Sequence, residues 1–318
     1  MTRRSINFEE LKAEALRLGF SACGAAPASP LPEWRKKQWQ QWLADGRNGE
    51  MNYLANHLEK RFDPTLLMEG VVTIVSVALN YYTPTAPSPD HYRLARYALG
   101  KDYHEIMKEK LLALMQALHL TPFVDGRPCC DTAPVDEHYW AWRCGLGYLG
   151  RNTQLIIPKA GSYFFLGELL LTLPVDQLPP EPPYIAQEET LPKACLHCNR
   201  CVTACPAGAI SLTNGLDARR CLSYLTIEKR GELPPNTGEQ MGDFIYGCDR
   251  CAEVCPFNNK AQSTEVAEFH PSTTLTAMTR EQWQQLTIEE YRLLFKGSAV
   301  KRAKYEGLLR NIKAVENN

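Results

Sequence analysis

The chain has 318 residues, of which 44% are hydrophobic and 22% charged, and its formal net charge is −1. This composition excludes wholesale disorder and fibrous architectures, and the length predicts two domains with ample core. The charge excludes a global attraction to nucleic acid or membranes, so any such binding must use a local patch. The N-terminal residues lack the apolar run of a signal peptide, and we expect a cytoplasmic protein that does not associate with a membrane.

The first part of the chain alternates between helical and strand patterns. Apolar residues at helical spacing predict helices over 8–18, 34–43 and 102–118, the last with Asp102 as its N-cap. A short apolar run covers 20–26. Apolar runs predict strands over 71–79, 154–157 and 163–173, and the run at 71–79 is expected to be buried on both faces. This mixture predicts an α/β or α+β first domain of residues 1–190.

Composition changes in the second part of the chain. Six prolines among polar residues at 174–192 predict a semi-rigid linker. A cysteine-rich stretch follows, which predicts a small domain of residues 191–260 organised by inorganic ligands. Residues 261–318 are predicted to form a helical C-terminal segment. That segment carries a basic stretch: Lys296, Lys301, Arg302, Lys304, Arg310 and Lys313.

Eight of the twelve cysteines form one pattern. Cys195-x2-Cys198-x2-Cys201-x3-Cys205-Pro206 is the bacterial ferredoxin run, and Cys248-x2-Cys251-x3-Cys255-Pro256 repeats it with its first member, Cys221, moved upstream. Four thiolates suit a [4Fe–4S] cluster, and in two-cluster ferredoxins the cysteine before the proline binds the other cluster. The pattern therefore predicts a double-cluster, ferredoxin-like domain with crossed ligands. Cluster one takes Cys195, Cys198, Cys201 and Cys255, and cluster two takes Cys205, Cys221, Cys248 and Cys251.

Zinc is the alternative ligand, because paired Cys-x2-Cys motifs also build zinc ribbons. Zinc needs neither the third cysteine nor the proline after the fourth, and both features occur twice here. The remaining cysteines are expected to be small buried hydrophobes. They are Cys23, Cys129, Cys130 and Cys144.

Two adjacent clusters transfer electrons, and those electrons must reach an acceptor elsewhere in the protein. The sequence contains neither a P-loop nor a Gly-x-Gly-x-x-Gly that opens a helix after a strand, so an ATPase and a Rossmann site are not supported. A glycine-rich stretch at 145–152 follows a helical pattern instead. Its glycines would let the backbone approach a large ligand closely.

Further segments follow one another in order over nearly the whole chain. They are 96–104 (RYALGKDYH), 131–137 (DTAPVDE), 145–152 (GLGYLGRN), 161–169 (GSYFFLGEL), 220–228 (RCLSYLTIE), 246–249 (YGCD) and 297–299 (GSA). Together with the double cysteine run, they resemble the epoxyqueuosine reductase family, cobalamin-dependent iron–sulfur enzymes of tRNA queuosine synthesis. Longer members carry a C-terminal helical-repeat extension that this sequence does not match, so we expect tRNA to bind without it.

The resemblance implies a cobalamin in the first domain, reduced through the two clusters by a low-potential donor such as flavodoxin or ferredoxin. It implies a monomer that converts epoxyqueuosine in tRNA to queuosine, with release of water. Asp131 matches the family's proton donor, and burial beside an apolar macrocycle would suit such an acid by raising its pKa. Corrinoid contacts are implied for Asn56, Asp131, Leu155, Leu166, Ser223, Cys248 and Asp249. Asn56 stands where some members have an arginine, and His138 stands where the family often has a basic residue.

Several other polar residues allow two interpretations. Asp136 and Glu137 are alternative acids, although each is more simply a solvated helix start. His104 is either a cobalt ligand or a structural histidine. The basic stretch is a candidate for tRNA phosphates or a solvated helix face, and further basic residues could extend it. Those residues are Arg219, Arg220, Lys229 and Arg230.

Two other functions fit the cysteine pattern. A corrinoid iron–sulfur reductase of small molecules, such as a reductive dehalogenase, is disfavoured because those enzymes usually carry an export signal. A two-cluster electron carrier without corrinoid is disfavoured by the long segment before Cys195.

Overall fold

The structure is a computed structural model that describes residues 5–84, 90–178, 193–213 and 215–317. Its helices are α1 (Phe8–Arg17), α2 (Glu33–Ala44), α3 (Leu58–Phe62), α4 (Tyr103–Ala117), α5 (Glu137–Arg143), α6 (Lys193–Leu196), α7 (Arg200–Thr203), α8 (Leu222–Ile227), α9 (Thr237–Met241), α10 (Arg250–Glu253), α11 (Thr273–Ala277), α12 (Arg280–Gln284), α13 (Ile288–Leu294) and α14 (Lys304–Glu316). Its strands are β1 (Ala22–Pro27), β2 (Thr73–Asn80), β3 (Arg93–Leu94), β4 (Gly126–Cys129), β5 (Tyr148–Leu149), β6 (Leu155–Ile156), β7 (Phe164–Leu171), β8 (Ile210–Ser211), β9 (Gly215–Leu216) and β10 (Phe244–Tyr246).

A four-stranded sheet organises the first part of the chain. The strand order is β1-β2-β7-β4, and each neighbouring pair is antiparallel. Strand β2 is buried along nearly its whole length because helices cover both faces of the sheet. Val75, Val77 and Leu79 pack with α1 and α4, whereas Ile74 and Ala78 face the core that contains α5. The prediction of a strand buried on both faces is thereby confirmed.

The predicted helices and strands of this part are present, with shifts of at most two residues at their ends. Asp102 caps α4 as predicted, since its carboxylate accepts from the backbone N–H of His104 at 3.1 Å. The fold is a mixed helix and sheet architecture, and its central sheet is antiparallel, which corresponds to the α+β alternative. The predicted linker lies outside the described residues from residue 179 onward.

The C-terminal helices share a core with distant parts of the chain. Trp283, Phe295 and Ile312 pack with Tyr92 and with Tyr246. Strand β10, which comes just before Cys248, pairs in parallel with β3 from the first part of the chain. The cysteine-rich region is therefore held between the first part of the chain and the C-terminal helices. Among the described residues, no helix is long and apolar enough to cross a membrane.

Candidate active site

Asp131 lies on the short loop between β4 and α5, in a left-handed backbone conformation (φ 55°) that aspartate tolerates better than most residues. Its backbone N–H donates to the Glu137 carboxylate at the start of α5. The Asp131 side chain is 56% exposed. The loop therefore presents a carboxylate to solvent while its backbone is tied to the next helix.

Two consecutive side chains of α4 hold the Asp131 carboxylate. His104 Nε2 lies 2.9 Å from Asp131 Oδ2, and the Tyr103 hydroxyl donates to the same oxygen at 3.1 Å. His104 Nδ1 lies 2.6 Å from Asp102 Oδ1. The Tyr103 ring stacks on Phe165 of β7 at 4.1 Å, which fixes its orientation. Both His104 nitrogens are engaged by carboxylates, an arrangement that fits the structural interpretation of His104.

The charges in this cluster place its proton on the histidine. The hydrogen bond from His104 lowers the pKa of Asp131, and the desolvation that opposes it is the smaller influence. Hydrogen bonds to Asp102 and Asp131 raise the pKa of His104 to about 9. At neutral pH the cluster is thus an imidazolium between two carboxylates. The expectation that burial raises the pKa of Asp131 is wrong in this structure, because a cation contacts its carboxylate directly.

Two further carboxyl groups lie beneath the loop. Burial raises the pKa of Glu137, and the nearby charge of Asp131 adds to the rise. Glu168 on β7 is fully buried, and its Oε1 accepts from the Ser76 hydroxyl at 3.3 Å. Burial also raises the pKa of Glu168 well above its usual range. Glu137 is therefore not the solvated helix start that the sequence suggested.

Asp136 is also buried, and its role is structural. It begins α5 as predicted, but it is only 4% exposed and forms two hydrogen bonds with the Arg35 guanidinium, at 2.7 and 3.0 Å. The expectation of a solvated residue fails because Arg35, on α2, is 101 positions away in the sequence. This ion pair fastens α2 to the start of α5.

Four of the cluster cysteines line one cavity. They are Cys195, Cys198, Cys201 and Cys255. The wall of the cavity also includes Arg151, Asn152, Ile156 and Phe257. The structure thus places Cys255, from the second cysteine run, beside three members of the first run.

Electrostatic interactions link the other four cluster cysteines, and Cys201 of the cavity also acts on Cys251. Burial raises the pKa of Cys251, and the neighbouring thiols of Cys248 and Cys221 add to the rise. Cys205 is in turn close enough to Cys221 to act on it electrostatically. The four cysteines outside the pattern, at 23, 129, 130 and 144, are buried in the two cores that flank the sheet.

The residues with implied corrinoid contacts are dispersed over several elements. Leu155 and Leu166 are buried in the core on the α5 side of the sheet, and Asn56 lies on an exposed turn. Ser223 is partly exposed on α8, and Cys248 follows β10. The Asp249 carboxylate is buried and accepts from the Arg96 backbone N–H at 2.8 Å.

The basic stretch divides into exposed and inward-facing residues. Lys296, Lys301, Lys304 and Lys313 are exposed. Arg302 forms a two-point ion pair with Glu228 and also lies 5.4 Å from the centre of the exposed Tyr53 ring. Arg310 turns inward and donates to the backbone carbonyls of Leu225, Lys229 and Gly231, so it is unavailable to phosphates.

Among the possible extensions of the basic stretch, three residues are engaged by the protein. Arg219 pairs with Asp217, Lys229 pairs with Glu50, and Arg230 donates to the backbone carbonyls of Ile227 and Arg302. The Arg220 guanidinium packs near Gly208.

Sequence reasoning missed several residues of the site. Tyr103, Arg35 and Glu168 act through partners 28 to 101 positions away, which no local pattern reveals. Asp102 was found only as a helix cap, although it also holds the His104 ring. Arg151 and Asn152 were visible within the glycine-rich stretch, but their position at a cysteine cavity was not.

An antiparallel sheet domain joined to a region with eight patterned cysteines, four of which line one cavity, defines an iron–sulfur oxidoreductase. Residues 194–258 match the family described as a 4Fe-4S double cluster binding domain, and residues 61–132 match the family described as epoxyqueuosine reductase QueG, DUF1730. An epoxyqueuosine reductase of Cellulophaga algicola is 36% identical over 313 residues, which cover 98% of this chain and 99% of that protein. The chain belongs to the epoxyqueuosine reductase family.

Solved structures agree with this assignment. A crystal structure of epoxyqueuosine reductase with an epoxyqueuosine-modified tRNA-Tyr stem loop superposes with a TM-score of 0.84 at 26% identity, covering 96% of this chain and 80% of that chain. A Bacillus subtilis epoxyqueuosine reductase superposes with a TM-score of 0.82 at 27% identity, with the same coverage. That structure has an aspartate-bearing catalytic loop swung out of its active site.

Proposed function

We propose that this chain reduces epoxyqueuosine to queuosine in tRNA, with electrons passing through two [4Fe–4S] clusters to a cobalamin and a proton supplied by Asp131. The observation that carries the proposal is the full-length similarity to epoxyqueuosine reductases, joined to an accessible carboxylate at the position where the family has its proton donor. The reaction consumes two electrons and two protons. It releases the epoxide oxygen as water and leaves a carbon–carbon double bond.

The cysteine groups suit two iron–sulfur clusters with crossed ligands. Cluster one would be held by the four cysteines of the shared cavity, with Cys255 supplied by the second run. Cluster two would be held by Cys205, Cys221, Cys248 and Cys251. Four thiolates are the donor set of a [4Fe–4S] cluster, and the match of residues 194–258 to a 4Fe-4S double cluster binding domain favours iron over zinc at both positions. We propose that this region acts as a domain of its own, between the sheet domain and the C-terminal helices.

Cobalamin, when bound, supplies a strong reductant at the epoxide. The surroundings of Asp131 fit a large and partly apolar ligand, since this carboxylate is exposed to solvent and still partly desolvated by the protein around it. The residues that would hold the corrinoid are those that the resemblance implies. Leu155, Leu166 and Asp249 would contribute through backbone atoms, because their side chains are engaged within the protein.

The chain's own residues supply and direct one of the two protons that the reaction consumes. At neutral pH it resides on His104, which donates to Asp131. Asp131 would pass a proton to the departing oxygen and would be reprotonated by His104. Asp102 holds the imidazole ring so that Nε2 faces Asp131.

The tRNA would lie across the exposed part of the basic stretch. Lys301 and Lys304 are exposed. Arg302, which lies between them in sequence, packs its guanidinium over the Tyr53 ring. The charge of Arg302 also acts on Asp131, so this surface lies close to the proposed reaction site. Lysines would contact phosphates, and an exposed tyrosine suits stacking with an unpaired base.

The experiment is anaerobic reconstitution with iron, sulfide and cobalamin, followed by incubation with epoxyqueuosine-containing tRNA and a chemical reductant. Mass analysis of the nucleosides should find queuosine, which has one oxygen fewer. Omission of cobalamin provides the control. Unchanged epoxyqueuosine in a sample with full iron and cobalt would overturn the proposed function.

A further inference from the structure

The end of the glycine-rich stretch lies against the cavity of the proposed cluster one. Arg151 and Asn152 line this cavity together with Cys195, Cys198 and Cys201. These two residues come from the sheet domain, between β5 and β6. Together with Ile156 of β6, they bring the sheet domain into contact with the surroundings of that cluster.

Asn152 has an amide group without a protein partner. The residue is 5% exposed, and its Nδ2 has no hydrogen-bond partner within the part of the chain that the structure describes. A Cβ atom at Gly150 would lie 2.7 Å from Asn152 Oδ1, so the glycine makes room for the carbonyl end of this side chain. A buried donor without a partner is unfavourable, and a hydrogen-bond acceptor on a ligand in the cavity would remove that cost.

Arg151 is fixed beside the same cavity. Its Nη2 donates to the Cys195 carbonyl at 3.1 Å, and its Nη1 donates to the Leu212 carbonyl at 3.2 Å. Its Nε, like Asn152 Nδ2, is buried and has no partner among the described residues. The two carbonyl bonds hold a positive charge next to the backbone of a proposed cluster ligand.

We propose that Arg151 and Asn152 set the reduction potential of cluster one, Asn152 by donating a hydrogen bond to a cluster sulfur and Arg151 by its fixed charge. The inference rests on the proposed cluster ligation. Reduction adds one electron to the cluster, and both a hydrogen-bond donor and a nearby cation stabilise the added negative charge. The two residues therefore make cluster one easier to reduce. They are positioning residues and take no part in the chemistry on tRNA.

The test is a redox titration of the reconstituted full chain, followed by electron paramagnetic resonance. The signal of cluster one is identified by its loss in Cys195→Ala. Asn152→Leu keeps the size of the side chain and removes the donor. We expect it to lower the equilibrium constant for reduction of cluster one about tenfold, which is about 59 mV for one electron. The potential of cluster two should stay where it is.

Asn199→Leu is the matched control, because Asn199 directly follows Cys198 in sequence but is exposed. It should leave both potentials unchanged. If Asn152→Leu fails to assemble cluster one, the potential of cluster one is measured in Arg151→Gln instead. Loss of the Arg151 charge should lower this potential, as loss of the Asn152 donor would. A potential equal to that of the parent in an iron-replete Asn152→Leu protein overturns the proposal, and so does loss of cluster one from both variants. Zinc without iron in the parent protein would instead refute the cluster assignment itself.

Discussion

At the scale of single residues, the proton of the site lies on His104, within hydrogen-bond distance of the Asp131 carboxylate. Asp131→Asn keeps the shape of the side chain and removes the group that passes the proton on. We expect turnover on epoxyqueuosine-containing tRNA to fall by about 10²–10⁴-fold, the usual contribution of a positioned acid. Iron and cobalt contents should match those of the parent protein.

Glu109→Gln is the control for Asp131→Asn, since it removes an exposed carboxylate from the same helix that carries His104. It should leave turnover unchanged. Normal turnover in the Asp131 variant would show that Asp131 is not the proton donor. Loss of cobalamin binding would show that its role is structural.

His104 gives the fold a dependence on pH. Its pKa is about 9 in the folded chain, against about 6.5 in an unfolded chain. Protonation of His104 therefore stabilises the fold fully below about pH 6.5, and this contribution is lost as the pH rises through 9. We expect about 1–2 kcal/mol, because water screens a side chain that is one-third exposed.

Thermal unfolding between pH 6 and about 10 measures this contribution. The parent protein should lose more stability over this range than His104→Gln, which cannot hold the extra proton. Parallel stability curves for the two proteins would show that the imidazolium does not stabilise the fold.

At the scale of elements, the buried ion pair of Arg35 and Asp136 joins α2 to α5. Asp136→Asn leaves the Arg35 guanidinium buried without its counter-ion. We expect a loss of about 3–5 kcal/mol in the free energy of unfolding, measured by denaturant titration. Asp45→Asn breaks a more exposed pair with Arg47, just after the end of α2, and should cost at most about 1 kcal/mol. Equal losses in the two variants would contradict a stabilising role for the buried pair.

The crossed ligation is a second prediction at this scale. Cys255 stands at the start of the turn after α10, in the cavity of the first cysteine run. Cys255→Ala should therefore diminish the same electron paramagnetic resonance signal as Cys195→Ala. Cys251→Ala should diminish the other signal. Grouping of Cys255 with Cys251 would refute the crossing.

The sequence allows some elements to be predicted and others not, for physical reasons. The helix α4 and its Asp102 cap follow from local spacing, and β2 follows from an unbroken apolar run. The order of strands in the sheet does not, because it depends on pairing between segments up to about 100 positions apart. The burial of Asp136 and the low pKa of Asp131 depend on side chains from other elements, which a single sequence does not place.

At the scale of the whole molecule, the exposed lysines beside Arg302 form the proposed tRNA surface. Replacing Lys301, Arg302 and Lys304 together by alanine should weaken binding of a tRNA stem loop. Fewer counter-ions would be released, so the slope of log affinity against log salt should fall by up to about 2–3 units. Fluorescence titration at several salt concentrations measures both quantities. Lys12→Ala with Lys108→Ala, on exposed faces of α1 and α4, should change neither, and an unchanged slope in the triple variant would refute this surface.

The shared core of Tyr92, Leu94 and the C-terminal helices has a consequence for synthesis on the ribosome. Tyr92 and Leu94 emerge early, but they pack against Leu308 and Ile312 near the end of the chain. The sheet domain has all its strands once residue 171 has been made, whereas this core stays open until α14 leaves the exit tunnel. During that interval its apolar side chains face water, so we expect the nascent chain to be most prone to aggregation at this site.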